Sequence, residues 1–515
     1  MRISRSIVTL TVLFALLITG CGTKKIAPRV IVLPSKEDTV ATAPPVKPWV
    51  SPAKEEMRGV WLTTIYGLDW PQRAANTAEA IRRQKDELCR ILDRLQCEKF
   101  NTVFFQVRHR GDVIYPSAIE PQSTVFTGTG RPDYDPLDFA LKECHKRGLA
   151  FHAWLVVTPL GPDRHIRSLG SKSVKNQHPE WCVRHNNLWY LNPGVPEARK
   201  HFASIVSEIV NKYPVDGIHL DYMRYPEKAK SFADAATHKR YGGSMSLETW
   251  RRRNLSDLMA DVHQAATEKT PWVSVSVATL GRLRQLAGVR GGNWTAYEGV
   301  YQDPVVWAHE GTVDFLVPMM YYRDDLFYPF LEDWKAQLPT LPIVPGLATY
   351  RVVDNSNWPP KVIADQIDSA RSLGFAGVCF FREEQIRHES NGLPQIIRER
   401  FAEDVVPMPV HRKGSALPKT AEAPRLTRRP DGQIEVRWNK TAGETSAVHY
   451  RLFVRKFDSA GKIEDKLAAD GIDEGSYILP HALIKGAKHI EVRLQAVDKL
   501  HVAGPASAPT SMEIQ

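Results

Sequence analysis

Short runs of apolar and β-branched residues alternate with longer segments of helical periodicity from Met57 to about Glu403. This pattern is typical of repeated β–α units with parallel strands. Eight strands are predicted: Met57–Thr64, Thr102–His109, Ala150–Val157, Gly217–Met223, Trp272–Thr279, Asp314–Tyr321, Pro342–Thr349 and Gly377–Arg382. Helical segments follow most of them, including Glu79–Gln96, Pro136–Arg147, Pro196–Tyr213, Leu247–Glu268 and Pro360–Leu373.

Eight such units over about 350 residues have the size of a (β/α)8 TIM barrel with long loops. Several predicted helices have proline in the first turn, and Gly148 and Gly374 follow helix ends, as capping preferences favour. The alternative is an open, doubly wound sheet, but no glycine-rich dinucleotide or phosphate loop follows any predicted strand. The sequence therefore predicts an α/β TIM barrel over residues 54–405, with no cofactor.

The pattern changes after Phe401, where a proline-rich segment, residues 406–420, is predicted to be a linker. Short alternating strands with Gly/Asp turns follow in residues 421–515. They are predicted at Gln433–Trp438, Val448–Lys456, Ser476–Ile478 and His489–Val497. Their number, the size of the segment and Trp438 on an early strand resemble a fibronectin type III sandwich, an all-β immunoglobulin-like fold. This domain is interpreted as a spacer, as a module that docks cell wall, glycan or protein, or as a passive cover for the barrel.

The first twenty residues combine Arg2 and Arg5 with an apolar core, Ile7–Ile18, and end just before Cys21. They predict a secretory signal peptide over residues 1–20 that ends in a bacterial lipobox, so that Cys21 carries a membrane anchor. The apolar run is short for a membrane span. An ordinary signal peptide with an incidental cysteine is the alternative. Gly22, directly after the cysteine, resembles the bacterial sorting pattern for the outer membrane, and residues 21–53, rich in Pro, Lys and Thr, are predicted to be a flexible tether.

The composition limits the partners. A net charge of +10 suits an anionic partner such as nucleic acid or cell wall, but secretion argues against nucleic acid, and the basic residues are scattered along the chain. Five cysteines remain after Cys21, without a CxxC or Cys/His cluster, so no metal site is predicted. We expect these cysteines to be buried apolar residues and the fold not to depend on disulfides.

The C-terminal ends of the predicted strands are rich in polar and aromatic residues. In a TIM barrel these ends form the mouth where chemistry takes place. Sugar rings stack on aromatic side chains and offer hydroxyls to planar hydrogen-bonding groups, so this rim predicts a carbohydrate site. For any single tryptophan, burial in the core is an equally good explanation. The predicted substrate contacts are Gln106, Arg108, His152, Trp154, Asn192, His219, Tyr222, Arg224 and Tyr321.

Several motifs occur in an order that is specific to one group of bacterial proteins. They include Arg58–Thr64, Phe100–Arg108, Asp112–Ser117, Leu191–Pro196 and Asp216–Pro226. Through them, residues 54–400 resemble the bacterial glycosyl-hydrolase-like family 10. The resemblance implies a TIM barrel related to glycoside hydrolases, often on a lipoprotein, with a glycan substrate. Peptidoglycan strands stripped of their peptides are a candidate that the family suggests. The chain departs from the family at Ser276–Gly281, where a Ser-Pro-Phe-Gly-like segment is expected.

The fourth predicted strand supplies the first candidate for a catalytic carboxylate. Alternation along a strand places His219, Asp221 and Met223 on one face and Asp216 on the other. We therefore expect Asp221 at the mouth, as nucleophile or base, and Asp216 at a turn or at the bottom of the barrel. A structural salt bridge between Asp221 and Arg224 is the alternative.

Glycoside hydrolysis normally needs a second carboxylate. Asp112, after the second strand, ranks first and Glu383, after the eighth, ranks second, with a capping aspartate and a solvated charge as their respective alternatives. Chitinase-type barrels resemble this chain at strand four, and they use a glutamate two residues beyond the strand's aspartate. Met223 occupies that position here, so a substrate-assisted mechanism lacks its acid.

Three classes of function remain open from the sequence. The preferred interpretation is a cell-envelope glycoside hydrolase with carboxylate acid/base chemistry. The alternative is a barrel that binds glycan without cleaving it. A metal-dependent deacetylase or esterase would need a His/Asp cluster or a Gly-x-Ser-x-Gly elbow. His109, His152 and His219 lie on different strands and could meet at the mouth, but isolated strand histidines are more often hydrogen-bonded in the core or in contact with sugar.

Overall fold

A computed structural model describes residues 53–291, 294–354, 358–412, 414–440 and 449–514. The predicted signal peptide, the lipidation site Cys21 and the tether up to residue 52 lie outside this range. Within it, no helix combines the length and the apolar composition that crossing a bilayer requires.

Eight parallel strands form one sheet in which sequence neighbours are hydrogen-bonded. They are β1 (Met57–Leu62), β2 (Thr102–Arg108), β3 (Ala150–Val156), β4 (Gly217–Asp221), β5 (Ser274–Val277), β6 (Phe315–Leu316), β7 (Gly346–Leu347) and β8 (Gly377–Phe380). β8 pairs with β1. The remaining gap between β6 and β7 is bridged by two parallel pairs, Leu316–Ile343 and Met319–Gly346. The ring is therefore closed, and the predicted TIM barrel is confirmed.

Several strands are shorter than predicted. β4 ends at Asp221, and β6 and β7 keep only two residues each. Pro318 and Pro345 lie beside these two short strands, and proline has no N–H to continue a ladder. The predicted seventh strand also ends early because a short helix begins at Thr349.

Eight main helices follow the strands in turn. They are α1 (Ala78–Cys97), α2 (Pro136–His145), α3 (Pro196–Lys212), α4 (Leu247–Thr267), α5 (Pro304–Glu310), α6 (Tyr328–Gln337), α7 (Pro360–Ser372) and α8 (Leu393–Arg400). The N-caps account for several starts: Thr77 accepts a hydrogen bond from the Ala80 N–H, and Ser246 accepts one from the Thr249 N–H. The predicted helices in these regions are confirmed to within a few residues.

The loops between strands and helices carry smaller elements. Short helices are Asp163–Leu169, Val174–Gln177, Ala235–Tyr241, Ala296–Val300, Thr349–Asp354 and Glu383–Ile386. Single 3-10 turns are Ile65–Gly67, Gly170–Lys172, Pro179–Trp181, Ala229–Ser231, Asp324–Leu326 and Glu389–Asn391. The loop after β3 also contains a three-stranded antiparallel sheet of Pro159–Gly161, Cys182–His185 and Leu188–Leu191. These loops give the mouth its walls.

The C-terminal domain is a β sandwich of two antiparallel sheets, as predicted. Its strands are β9 (Arg425–Arg428), β10 (Ile434–Arg437), β11 (His449–Phe457), β12 (Ile463–Ile472), β13 (Ser476–Leu479), β14 (His489–Val497) and β15 (Thr510–Glu513), and a short helix spans His481–Ile484. One sheet has the order β9-β10-β13 and the other β12-β11-β14-β15. The rings of Trp438 and Tyr450 meet edge to face in the core between them, with centroids 5.4 Å apart. β9, β12 and β15 were not predicted, because their residues lack a clean apolar alternation.

The predicted linker is not a solvated spacer. Met408 and Val410 are buried, and they pack with Leu500 and Val502 of the sandwich in one cluster with residues from inside the barrel. Another short pair, Lys54–Glu55 with Val405–Val406, ties the two ends of the barrel segment together. The base of the barrel is thereby covered.

All five cysteines within the described residues are unpaired, as expected. Cys144 and Cys379 are buried, but Cys97 is exposed at the end of α1, so the expectation of burial is wrong for that residue.

Candidate active site

Asp221 lies at the C-terminal end of β4, and its side chain faces the barrel mouth. Only 6% of the residue is exposed. Burial raises its pKa to about 6, although the charge of Arg224, the Tyr222 N–H and the Trp154 side chain act in the opposite direction. The Tyr222 N–H donates to Oδ1 at 2.7 Å. Asp221 and Arg224 form no ion pair within 4.0 Å in the described chain, so the alternative of a structural salt bridge is not observed.

Aromatic side chains surround this carboxyl group. Tyr222 is 41% exposed and has a left-handed backbone, with φ of 51°. Tyr321 packs against Phe381 and Tyr350, with ring centroids 5.5 Å and 5.8 Å apart. Burial, followed by the neighbouring charge of Asp221, holds the pKa of Tyr321 well above its usual value. The structure therefore brings Asp221, Tyr222 and Tyr321 together, as the sequence predicted.

Trp154 and Gln106 also lie in this upper part of the barrel. The buried Trp154 Nε1–H forms no hydrogen bond within 3.5 Å among the described residues, and Asp221 is the carboxyl group on which it acts. Gln106 Oε1 accepts hydrogen bonds from the N–H groups of Thr64 and Ile65, at 3.1 Å and 2.9 Å. This arrangement fixes the amide of Gln106 beside the first loop of the mouth. Their role as substrate contacts stays a prediction.

Asp112 lines a second part of the mouth, an open pocket of about 380 Å³ that also contains Tyr66, Arg110 and His165. Its Oδ2 lies 3.3 Å from His109 Nδ1, and its Oδ1 lies 3.4 Å from His165 Nε2. Burial alone would raise the pKa of Asp112, but the two histidines together hold it well below its usual range. Asp112 is therefore an ionised carboxylate.

Arg110 connects the two parts of the mouth. Its guanidinium lies over the Tyr66 ring and donates to the Tyr66 hydroxyl at 2.8 Å. The same charge acts on Tyr222, beside Asp221. The pocket of Asp112 and the surroundings of Asp221 are therefore neighbouring regions of one mouth.

Glu383 has no exposed surface and forms ion pairs with Arg94 of α1 and, at 3.7 Å, with Arg387. Burial, together with the charge of Asp69, raises its pKa to about 7. This placement joins α1 to the segment after β8, and it gives a substrate no access to the carboxyl group. A structural role fits Glu383 better than the predicted catalytic role.

Two predicted sugar contacts, His219 and His152, are wrong because both side chains lie inside the barrel below the mouth. His219 is fully buried: its Nε2 accepts from Trp61 Nε1 at 3.0 Å, and its Nδ1 lies 2.9 Å from Ser276 Oγ. Burial, and then the neighbouring His152, lower its pKa well below the usual value. His152 lines a small cavity at the base with Asp216, and burial lowers its pKa to about 4.

Arg108 and Asn192 have structural roles and do not reach the mouth. Arg108 is fully buried and forms a bidentate pair with Glu120, at 2.7 Å and 2.6 Å. Asn192 bonds Thr237 Oγ1 and the Gly194 N–H, both at 3.0 Å, and this holds the loop that precedes α3. The prediction that these two residues contact substrate is therefore wrong.

Met223 is fully buried in the hydrophobic core outside the barrel strands. The position at which chitinase-type barrels have their glutamate therefore supplies no acid here. Across the described ranges, no group of three His, Cys, Asp or Glu side chains is arranged to hold a metal ion.

Arg282 and Tyr322 are among the residues of the mouth that were not predicted as substrate contacts. Arg282 follows β5, and its guanidinium carbon lies 3.8 Å from the centroid of the Tyr322 ring. Gly281 allows this path, since a Cβ atom there would lie 2.3 Å from the Met319 carbonyl oxygen. The signal in the sequence was the position of Arg282 directly after the segment Ser276–Gly281, which follows the fifth strand.

The model of a family described as glycosyl hydrolase-like 10 matches residues 56–360. The chain belongs to this family. It is 34% identical over 411 residues to the glycosyl hydrolase DigH of Escherichia coli K12, covering 73% of this chain and 92% of that protein. It is 31% identical over 341 residues to the glycosyl hydrolase YngK of Bacillus subtilis, covering 62% and 66%.

Among solved structures, the glycoside hydrolase domain of PgaB from Bordetella bronchiseptica aligns with a TM-score of 0.48 and 14% identity, over 68% of this chain and 99% of that domain. The family assignment from the sequence motifs is thus confirmed by the family model and by the curated relatives. Membership of the family supports a glycosidase type of function for the barrel.

Proposed function

We propose that the protein is a cell-envelope glycoside hydrolase that cleaves a polysaccharide, with peptide-stripped peptidoglycan strands as the substrate. The observation that carries the proposal is Asp221: a buried carboxyl group with a pKa raised to about 6, set among aromatic side chains at the barrel mouth. Enzymes obtain a general acid near neutral pH by this kind of burial. Membership of a glycosyl hydrolase-like family supports the same chemistry.

In the proposed reaction Asp221 is the general acid. Its proton passes to the glycosidic oxygen while the bond from that oxygen to the anomeric carbon breaks. Water forms the new bond to the anomeric carbon, and the proton that this water loses passes to the ionised carboxylate partner. The sequence alone favoured Asp221 as nucleophile or base. The raised pKa favours the acid, because a carboxyl group of this kind keeps its proton near pH 6.

Asp112 is the proposed ionised partner. Its pKa is held low by His109 and His165, whereas the pKa of Asp221 is raised, and such a divergence between two carboxyl groups is what the acid and base roles of a glycosidase require. Asp112 lines the open pocket, which has room for water or part of a substrate beside it. Tyr66 and Tyr222 supply exposed aromatic surface on either side of Arg110 for stacking sugar rings.

The location in the cell envelope rests on the N-terminal sequence. We propose that the chain is exported, acylated at Cys21 and held on the outer membrane, with residues 21–53 as tether. A Cys21→Ser variant should lose palmitate labelling and release the protein from the membrane fraction. Retained labelling in that variant would overturn the anchor.

The catalytic proposal is tested with glycan release from intact and amidase-stripped peptidoglycan. Wild-type protein and an Asp325→Asn variant, which changes an exposed aspartate after β6, should release fragments from stripped strands. Asp221→Asn should reduce the rate by about 10²- to 10⁴-fold, the contribution of general acid catalysis.

Two results would count against this assignment. Equal release by the Asp221→Asn and Asp325→Asn variants would remove Asp221 from the mechanism. Binding of stripped strands by wild-type protein without release of any fragment would favour a glycan-binding barrel.

A further inference from the structure

Buried arginines in this protein fall into two groups. Five of them form an ion pair with a carboxylate within hydrogen-bonding distance. These pairs are Arg58–Glu56, Arg108–Glu120, Arg251–Asp234, Arg451–Asp470 and Arg455–Asp465. The other two, Arg224 and Arg282, lie at the barrel mouth and have no carboxylate within 4.0 Å in the described parts of the chain.

Arg224 is 7% exposed and donates no hydrogen bond within the described residues, and its Nε is buried without a partner. Its guanidinium lies over the rings of Tyr222 and Trp294, at 4.6 Å and 5.8 Å. These rings hold the cation in place but leave its hydrogen-bonding edge unused. Asp221, its nearest negative group, keeps a raised pKa, so it is not an ion-pair partner of the usual kind.

Arg282 repeats this arrangement on the neighbouring loop. It is 4% exposed, stacks on Tyr322, and donates one hydrogen bond, to the Gly291 carbonyl oxygen at 2.7 Å, while its Nε has no partner. The charges of both arginines act on the Tyr322 hydroxyl. The two cations therefore face one region of the mouth, beside Asp221.

A buried guanidinium without a counterion is costly, because its desolvation is not offset by a carboxylate. This protein offsets that cost at its five other buried arginines. An unpaired cation that is fixed by aromatic rings at the site of chemistry is suited to an anion that arrives with the substrate. The planar fork of arginine matches the two oxygens of a carboxylate.

We propose that Arg224, with Arg282 beside it, binds the carboxylate of an acidic sugar next to the bond that is cleaved. The inference rests on the proposed function and names the feature of the glycan that the site recognises. In a peptidoglycan strand the lactyl group of each muramic acid is an amide while the peptide is attached, and it becomes a free carboxylate when the peptide is removed. Arg224 therefore distinguishes stripped strands from intact ones by charge.

The test compares two substrates with the same sugar chain. One is the amidase-stripped strand with its free carboxylates, and the other is the same strand after its carboxylates have been converted to neutral methylamides. Wild-type protein should cleave the acidic strands more efficiently than the amidated ones, roughly tenfold or more in kcat/KM, as expected for a charge-assisted hydrogen bond. In Arg224→Gln the ratio of kcat/KM on acidic strands to kcat/KM on amidated strands should fall to about one, whatever the absolute rate of the variant. Arg224→Lys, which keeps the charge without the fork, should retain part of it.

Arg252→Gln is the matched control, since Arg252 stacks on the exposed Tyr297 outside the proposed site, and it should keep the full preference. The inference would be overturned if Arg224→Gln unfolds at the normal temperature and still prefers acidic over amidated strands as strongly as the wild-type protein does. A binding assay separates this outcome from failure of the hydrolase proposal. It measures how tightly the acidic and the amidated strands bind to the Asp221→Asn variant and to the double variant Asp221→Asn/Arg224→Gln. If the acidic strands bind more tightly and Arg224→Gln abolishes that difference, the carboxylate site is supported even if no strand is cleaved. If both strands bind equally well to the protein with Arg224 intact, the carboxylate site is contradicted.

Discussion

Two aspartates five positions apart on one strand behave in opposite ways. Asp216, just before β4, accepts hydrogen bonds from the Phe151 N–H at 2.6 Å and from His145 Nε2 at 2.7 Å. Burial alone would raise its pKa, but the His145 hydrogen bond and charge and the Phe151 N–H leave it lowered. Asp221, at the other end of β4, receives the single Tyr222 N–H, and burial raises its pKa to about 6.

The same contrast separates the base of the barrel from its mouth. At the base, Arg412 pairs with Asp314, and Met408 and Val410 cover the ends of the strands. At the mouth, Arg224 and Arg282 have no carboxylate partner in the described chain. The Arg412–Asp314 pair at the base is thus satisfied within the protein, whereas the two arginines at the mouth lack a carboxylate partner.

Replacing each aspartate with asparagine should give the largest difference between the two positions. Asp221→Asn should abolish most of the glycan release, while Asp216→Asn should leave it nearly unchanged in folded protein. Stability should change in opposite directions. Asp216→Asn loses an ionised acceptor and should lower the free energy of unfolding by about 1–3 kcal/mol. Asp221→Asn removes a buried carboxylate whose negative charge destabilises the folded state at pH 7. This substitution should therefore raise the free energy of unfolding by about 1–3 kcal/mol at that pH.

The sign follows from the two pKa shifts. The folded-state pKa of Asp221 is raised, so its stabilising contribution is full below the unfolded pKa near 3.8 and is lost as pH rises through about 6. The pKa of Asp216 is lowered, so its contribution is present above the unfolded value and is lost at lower pH. Chemical denaturation at pH 7 and pH 4 measures both. Stabilisation by Asp221→Asn that persists at pH 4 would contradict the electrostatic explanation.

The pH dependence of glycan release gives the next largest effect. If protonated Asp221 is the acid, kcat/KM should fall about tenfold for each pH unit above its pKa of about 6. The charge of Arg224 lowers that pKa, so Arg224→Gln should move the alkaline limb to higher pH. Release measured from pH 4.5 to 8.5 checks both statements, and an alkaline limb at the same pH in wild type and Arg224→Gln would place another group in control.

The smallest expected effect concerns aromatic stacking at the mouth. Tyr222→Ala should weaken glycan binding about tenfold, because it removes an exposed ring and the surface that positions Arg224. Tyr297, another exposed tyrosine with a stacked arginine, gives the matched control, Tyr297→Ala, which should bind normally. Titration calorimetry with stripped strands measures both, and equal losses in the two variants would show that exposed tyrosines act non-specifically.

The order of residues along β4 was sufficient to assign Asp221 to the mouth and Asp216 to the base, because the two aspartates lie at opposite ends of the strand, and alternation placed Asp221 on the same face as His219. It was not sufficient for His219 and His152, which face the barrel interior as predicted but lie below the mouth. Height along the barrel depends on how neighbouring strands are staggered, and one strand's sequence does not contain that information.

Arg108 shows a second limit. Two positions after Gln106 it should share the inward face, but the pairing of β2 with β3 shifts register between these residues. The Arg108 guanidinium consequently lies 5.2 Å from the centroid of the Phe202 ring on α3, and it pairs with Glu120. An irregularity of this kind changes the direction of one side chain without changing the apolar pattern.

The sequence by itself determined the eight β–α units, the C-terminal sandwich, the family, and the position of Asp221 at the C-terminal end of the fourth strand. These features follow from periodicity, turn residues and ordered motifs, which are local properties of the chain. The tertiary structure decided which charges are paired. Five buried arginines meet a carboxylate that is 2 to 19 positions away in the chain, and none of the described carboxylates forms an ion pair with Arg224 or Arg282. Nearness in sequence does not show which of these groups meet, because the direction of each side chain and the path of each loop are set only when the domains fold.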